Sequence, residues 1–327
     1  PLDFTTSCSV TVDGVDAFVQ QVASAVNVDA QDAQVGAFDA ATKTFTFTDE
    51  VNGQALDEDA LRSAINAAVE SGDFSTQITA QVNEVPAAVT RAELEAQNTL
   101  LASFTTKTTS SKSRNTNIRL CSEAFNGYVV APGEIFSINS ITGPRTTAKG
   151  YKEAGSIQNG IMIQEPGGGV CQVSSTLFNA VARANLEIVS RSPHAWPSTY
   201  VNIGEDATVN WPNLDFQFKN NTNSPIFIIT YYKNRRMSAE IWGMSLGEGV
   251  TIDLESTVIR TIDPPSEIKY ELNPELPYGT EKTTVKARTG YVVETEKVWY
   301  KDGQETGREL LHTSNYRAYQ QVIEYNY

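Results

Sequence analysis

The chain has 327 residues, 40% hydrophobic and 20% charged, with no low-complexity block, so two or three globular domains are expected rather than one. A net charge of −14 argues against nucleic acid or an anionic membrane surface as the main partner, and no apolar run nears the roughly 20 residues that span a bilayer. Cys8, Cys121 and Cys171 are an odd count without zinc-ligand spacing. A disulfide framework is therefore not expected, although a single Cys8–Cys121 bridge stays open, and at least one thiol is free.

The acidity is local. Among the first hundred residues only Lys43, Arg62 and Arg91 are basic, which reads as a solvated acidic surface. Because the chain starts at Pro1 rather than Met, a leader or membrane anchor is expected to have preceded it. Val15, Phe18, Val19, Val22 and Val26 recur at helical spacing; residues 42–48 (TKTFTFT) alternate as a strand. Leu61, Ile65 and Val69 predict a helix behind the acidic start 57–59, and residues 75–82 predict another strand. Residues 1–90 thus form a small α+β domain.

Residues 87–97 read as a connector helix, 100–107 as a strand, 108–113 as a flexible run and 115–126 as a short helix. On that last helix Ile118, Cys121 and Phe125 share one face, so Cys121 is a small buried hydrophobe. Residues 128–139 predict a strand interrupted by a turn at Pro132-Gly133. After the central site, 207–211, 216–219, 226–232 and 237–242 read as an antiparallel meander. From about Val250 only β patterns remain, with a hairpin turn at Asp302-Gly303. The fold class is α+β multidomain, divided as 1–90, 91–246 and an all-β module at 247–327. The stretch 100–243 is expected to fold alone.

The chemistry centres on residues 165–184, EPGGGVCQVSSTLFNAVARA. Apolar residues from Val173 onward have helical spacing, which puts Cys171 in the first turn of a helix behind three glycines. Unpaired N–H groups and the positive end of the helix dipole favour a thiolate there, and the glycines let backbone approach a substrate carbonyl. The N–H groups of Cys171 and Gln172 are candidate oxyanion donors. A base is sought among two histidines: His194, in RSPHAW, follows the strand returning from the helix, whereas His312 falls in the carboxy-terminal module on a loop. Asp206 or Asp215 would orient His194. The opposing reading makes the glycines a tight turn, Cys171 a packed residue and His194 a surface residue. No HExxH, calcium loop, Walker loop or dinucleotide glycine pattern is present, so no metal or cofactor is expected. The SxxK match at Ser266–Lys269 lacks its companion motifs and is chance.

Taken together these residues resemble the VanW-type domain of bacterial cell-envelope proteins. The resemblance runs through Pro132-Gly133-Glu134, Phe136-Ser137, Gly143-Pro144-Arg145-Thr146, Gly150-Tyr151, Ala154, residues 167–176 (GGGVCQVSST), Arg191 with His194, Gly204 with Asp206-Ala207-Thr208, and residues 215–220 (DFQFKN). The first segment resembles a peptidoglycan-binding domain. The last resembles the extracellular module named for its five glycines (G5), here with Gly279, Gly290, Gly303 and Gly307. The resemblance implies an extracytoplasmic, wall-associated protein whose partner is peptidoglycan, and L,D-transpeptidase activity with Cys171 as nucleophile, His194 as base and Asp206 as orienting acid. Arg145, Tyr151, Gly168, Gly169, Gln172 and Ser174 are expected on the substrate side, Arg145 either pairing with a substrate carboxylate or serving a structural ion pair. The rival readings are a non-catalytic wall-binding protein and a cysteine peptidase on the same stem peptides.

Overall fold

The structure is a computed structural model and describes residues 13–158 and 161–327. Cys8 lies outside the described residues. The chain divides into two compact units, residues 1–37 with 45–96, and residues 38–44 with 97–327. Among the described residues no helix is long and apolar enough to cross a membrane.

In the first unit the helical spacing gives α1 (Val15–Val26). The alternating stretches give β1 (Val35–Asp39) and β2 (Thr44–Phe47), followed by β3 (Gly53–Leu56). Helix α2 (Glu58–Ser71) starts where Asp57 accepts a hydrogen bond from the Ala60 N–H at 2.9 Å, a cap contributing about 1 kcal/mol, and ends at Gly72 in the left-handed conformation. Val19, Ala23, Leu56 and Leu61 form its small core. The expected strand at 75–82 begins only at β4 (Val82–Val85), which pairs antiparallel with β3. Asp73 explains the shortfall: its carboxylate accepts from the Ser75 N–H at 3.0 Å and from the hydroxyls of Ser75 and Thr76, turning the chain away from a ladder.

Helix α3 (Arg91–Gln97) closes the first unit, and the second continues with β5 (Asn98–Lys107), α4 (Lys112–Glu123), β6 (Tyr128–Val130), β7 (Ile135–Ser137) and α5 (Ile138–Thr142). A hairpin of β8 (Glu153–Gln158) and β9 (Ile161–Pro166) leads into α6 (Val170–Arg183) and β10 (Glu187–Ser190). Then come β11 (Gln217–Lys219), β12 (Ile226–Lys233) and β13 (Arg236–Met244). An antiparallel sheet of order β5-β13-β12-β6 lies under α6 and α4. The expected meander is split: β12 and β13 form its hairpin, β11 joins a separate sheet between β10 and β7, and residues 207–211 are a loop. Burial decides this. Phe136 and Phe218 stack with ring centroids 5.0 Å apart and draw β7 and β11 together over the core.

The β-only tail gives β14 (Val250–Ile262), β15 (Lys269–Leu272), β16 (Thr280–Val285), β17 (Gly290–Lys301), β18 (Gln304–Tyr316) and β19 (Val322–Asn326). Two sheets result, β14-β17-β18 and β15-β19-β16. The turn between β17 and β18 carries Asp302 and Gly303 at φ 51° and 79°, the positive pair a tight hairpin needs. Sequence pattern alone treats this module as separate from residue 247 onward. The structure groups it with the central segment, since Leu254 belongs to the same core as Val173, Leu177 and Phe178.

Candidate functional site

Helix α6 is almost wholly buried, and its polar residues are all bonded. Ser174 Oγ donates to Ala207 O at 2.5 Å, Ser175 Oγ accepts from the Ala207 N–H at 2.9 Å, and Asn179 donates to Glu205 O at 2.8 Å. These bonds dock residues 205–207 against the helix and fix where Asp206 sits. At the N-terminus Gly167 and Gly169 take φ 96° and 104°. A Cβ on Gly168 would lie 2.3 Å from Ala154 O, so only glycine fits. Asn117 of α4 clamps this turn by donating to Gly168 O at 2.9 Å and to Lys152 O at 2.8 Å.

Cys171 follows in the first turn, half-buried, its Sγ 3.4 Å from Val209 O. It opens onto a cleft of about 390 Å³ that is also lined by Lys107, Arg114, His194, Trp196 and Tyr200. His194 hydrogen-bonds the thiol through its side chain, and Tyr200 Oη lies 3.4 Å from His194 Nε2. The other ring nitrogen, Nδ1, bonds Asp206 Oδ2, which also accepts the His194 backbone N–H at 2.8 Å. Asp206 Oδ1 receives Arg191 Nη2 at 3.0 Å and the Tyr316 hydroxyl at 2.5 Å. Arg191 further donates to Gly204 O at 2.8 Å and Ser314 Oγ at 2.6 Å.

The electrostatics follow from these bonds. Burial alone would raise the Asp206 pKa, but bonds and charge from His194, then Arg191 and Tyr316, bring it down to about 2. Burial would likewise uncharge His194, yet Asp206 and Cys171 prevail and raise it from 6.5 to about 10. Burial of Cys171 favours the thiol; the His194 bond and charge overcome it, with Arg145 adding charge, and the pKa stands below its ordinary value. Each member of the pair thus favours the charged form of the other. Cys121, wholly buried, is pushed up to about 12.

Of the sequence-based candidates the structure brings together Cys171, His194, Asp206 and Gly169. Asp215 stands elsewhere, accepting from Ser137 Oγ at 2.6 Å and the Asn139 N–H at 3.0 Å at the start of α5. Gln172 reaches the cleft edge, but its side chain is held by Arg114, Thr106 and Lys107, and its N–H donates to Gly169 O at 3.0 Å. That bond occupies the Gln172 N–H and counts against it as an oxyanion donor. Tyr151, Gly168 and Ser174 are buried and do not line the cleft. Nor does Arg145, whose Nη1 donates to Asn139 Oδ1 at 2.6 Å. His312 is in β18, not on a loop, with Nε2 2.8 Å from Gly204 O; burial lowers its pKa to about 4 and keeps it a neutral donor.

Sequence reading missed Arg114, Tyr200 and Tyr316. The first two carry no signal beyond polarity near the site, and Tyr316 is 110 residues from Asp206 in the chain. Among the described residues no three His, Cys, Asp or Glu side chains converge as a metal site.

Residues 113–242 match the family model described as "VanW like protein", residues 255–326 that of the G5 domain, and residues 3–76 that of "Putative peptidoglycan binding domain". The chain thus carries, in order, a segment matched as peptidoglycan-binding, a VanW-like segment and a G5 segment, a combination that supports association with the cell wall. A Bacillus subtilis (strain 168) relative, "Uncharacterized protein YoaR", is 42% identical over 166 residues, 51% of this chain and 52% of that one. "Vancomycin B-type resistance protein VanW" of Enterococcus faecalis (strain ATCC 700802 / V583) is 30% identical over 112 residues, 33% of this chain and 41% of that one. The chain thus spans about half the length of the first relative and less of the second. A solved IgA1 protease G5 domain is similar over 24% of this chain and 89% of its own, at 22% identity and a TM-score of 0.17.

The lowered pKa of the Cys171 thiol makes a direct prediction. In a Cys8→Ser protein near pH 7, iodoacetamide is expected to label Cys171 at least ten-fold faster than Cys121, with a Cys171 rate already level where a free thiol, of pKa about 8.5, still climbs. Equal rates, or a Cys171 profile centred near 8.5, would count against activation.

Proposed function

We propose that the chain is a cysteine acyl transferase of the L,D-transpeptidase type, acting on peptidoglycan stem peptides. One arrangement supports this above all: the Cys171 thiol at a helix N-terminus, hydrogen-bonded to a His194 whose far nitrogen is held by buried Asp206, opening on a cleft. The match of residues 3–76 to a putative peptidoglycan-binding domain supports peptidoglycan as the polymer.

In this reading the Cys171 thiolate adds to the carbonyl carbon of the third stem residue, meso-diaminopimelate or its equivalent, and the carbonyl electrons move onto oxygen. The Cys171 N–H faces that oxyanion. As the oxyanion collapses, the C–N bond breaks. His194 gives its proton to the leaving nitrogen, the terminal D-amino acid departs, and a thioester remains. A side-chain amine of a second stem then adds to the thioester. Neutral His194 takes the amine's proton and the C–S bond breaks, which restores the thiolate and imidazolium. Asp206 carries no proton in either half; it holds the ring and its charge.

The test is mass spectrometry of muropeptides after incubation with stem peptides, beside pull-down on sacculi. Wild-type protein is expected to yield cross-linked dimers, and Cys171→Ala to yield none while still binding sacculi. Undiminished cross-linking by Cys171→Ala would sink the catalytic reading. Shortened monomers without dimers would mean that water, not an amine, resolves the thioester. Lost wall binding in the variant, with no cross-linking by wild type, would favour a purely wall-binding protein.

A further inference from the structure

The cleft beside Cys171 contains a charge that the acyl-transfer steps leave unused. Arg114, on the first turn of α4, lines the cleft together with Lys107. Its Nη1 donates to Gln172 Oε1 at 2.7 Å. Gln172 is itself fixed, its amide nitrogen donating to Thr106 Oγ1 at 2.8 Å and to Lys107 O at 3.0 Å. Gly169 makes room on the other side: a Cβ there would fall 2.7 Å from Arg114 Cγ. Residues on three elements, β5, α4 and α6, therefore combine to seat one guanidinium.

What they do not supply is a carboxylate partner. Among the described residues neither Arg114 nor Lys107 forms an ion pair, and Glu165, the acid lining the same cleft, bonds neither. Of the four half-buried arginines of this unit two are paired, Arg183 with Asp253 at 2.8 Å and Arg191 with Asp206 at 3.0 Å, while Arg145, which among the described residues forms no ion pair either, lies outside the cleft. Burial lowers the Arg114 pKa from its ordinary value, against the attraction of Tyr200 and Cys171. A desolvated guanidinium without a carboxylate is costly unless a ligand brings one. Both α4 and α6 also present their N-termini to this end of the cleft, adding positive potential.

Resting on the acyl-transfer reading for the identity of the peptide, we propose that Arg114, seated by Gln172 and Gly169, is the specificity-determining residue that binds a substrate carboxylate flanking the scissile carbonyl. A stem peptide has two such carboxylates, that of the terminal D-residue and that on the side chain of the third residue. Arg114 selects donor peptides that keep the charged form.

Binding is measured by calorimetry on the full chain carrying Cys171→Ala, so that no chemistry intervenes. The probes are a synthetic tetrapeptide stem, its C-terminal carboxamide, and the same stem with the third residue's side-chain carboxylate amidated. One of the two amides is expected to bind about ten- to a hundred-fold more weakly than the acid, as loss of a charge-assisted bond predicts. The amide that weakens identifies which carboxylate is read. Adding Arg114→Gln should bring the acid-to-amide ratio to about one; Arg114→Lys, which keeps charge but not the fork, should leave an intermediate ratio. Equal binding of all three peptides, or a preference that survives Arg114→Gln, overturns the proposal. Acylation of wild-type Cys171 is read separately by intact mass. A carboxylate preference without acylation sinks the transferase and keeps the carboxylate site; acylation without preference does the reverse.

Discussion

His194→Ala is expected to reduce stem-peptide cross-linking by about 10²- to 10⁴-fold, the range for a positioned acid–base group, while leaving the fold intact. The fold survives because Asp206, which loses its His194 partner, still faces Arg191 and Tyr316. The rate falls for two reasons. The thiol pKa loses the bond and charge that hold it down, and the leaving amine loses its proton donor. Cys171 and His194 act as a unit, so Cys171→Ala with His194→Ala should be little worse than either alone. Asp206→Asn makes the contrast. Its chemical effect should be milder, but it leaves the Arg191 guanidinium buried and unpaired, a loss of about 3–5 kcal/mol. A melting-temperature drop in Asp206→Asn, absent in His194→Ala, separates holding the ring from doing the chemistry. Full cross-linking by His194→Ala would remove it from the mechanism.

The second large effect concerns the carboxy-terminal module. Removing residues 247–327 is expected to abolish Cys171 activation, because that module builds the back wall of the triad. Tyr316 donates to Asp206 Oδ1 and accepts the Gly204 N–H at 2.9 Å. Ser314 accepts from Arg191, and His312 donates to Gly204 O. A Cβ on Gly204 would meet Thr295 Oγ1 at 2.6 Å, so the contact is close-packed. The loop carrying His194 is gripped as well: the Arg317 N–H donates to Ala195 O at 3.1 Å, and Arg288 lies 4.3 Å over the Trp196 ring. Tyr316→Phe is the local version of this cut. It leaves the Gly204 N–H unsatisfied, costing about 1–3 kcal/mol, and takes a donor from Asp206. The Asp206 pKa should rise and that of His194 fall.

The sign of the pH effect can be stated. A His194 raised from 6.5 to about 10 contributes stability that is complete below 6.5 and lost as pH climbs through 10. An Asp206 lowered from 3.8 to about 2 contributes stability present above 3.8 and lost as pH falls through 2. Tyr316→Phe should therefore narrow the stable window from both sides. An unchanged pH–stability profile, or a fragment 97–246 whose thiol stays as reactive as in the full chain, would show that the module only packs against the site.

These two cases also mark what the sequence made legible. The thiol was readable because its determinants are local: three glycines, a helical period from Val173, and a cysteine between them. His194 was readable by elimination, with only two histidines available. Asp206 and Asp215 were not separable in sequence, since both follow His194 on polar stretches. What separates them is that Ser174, Ser175 and Asn179 bind the backbone of residues 205–207, a contact between distant segments. Tyr316 and Arg114 were invisible for the same reason. The boundary at 246/247 falls between the residues matched as VanW-like and as G5, but a change from mixed to all-β pattern says nothing about whether two segments share a core, and Leu254 shares one with α6.

The central claim, that Cys171 is an acyl carrier, is tested most directly by intact-mass analysis of the full chain after brief incubation with a tetrapeptide stem and no acceptor amine. A mass gain equal to the tripeptidyl group, mapped to Cys171 and absent from Cys171→Ala, with one D-amino acid released per adduct, is the predicted result. No adduct at any time, from protein whose Cys171 reacts rapidly with iodoacetamide, would contradict it.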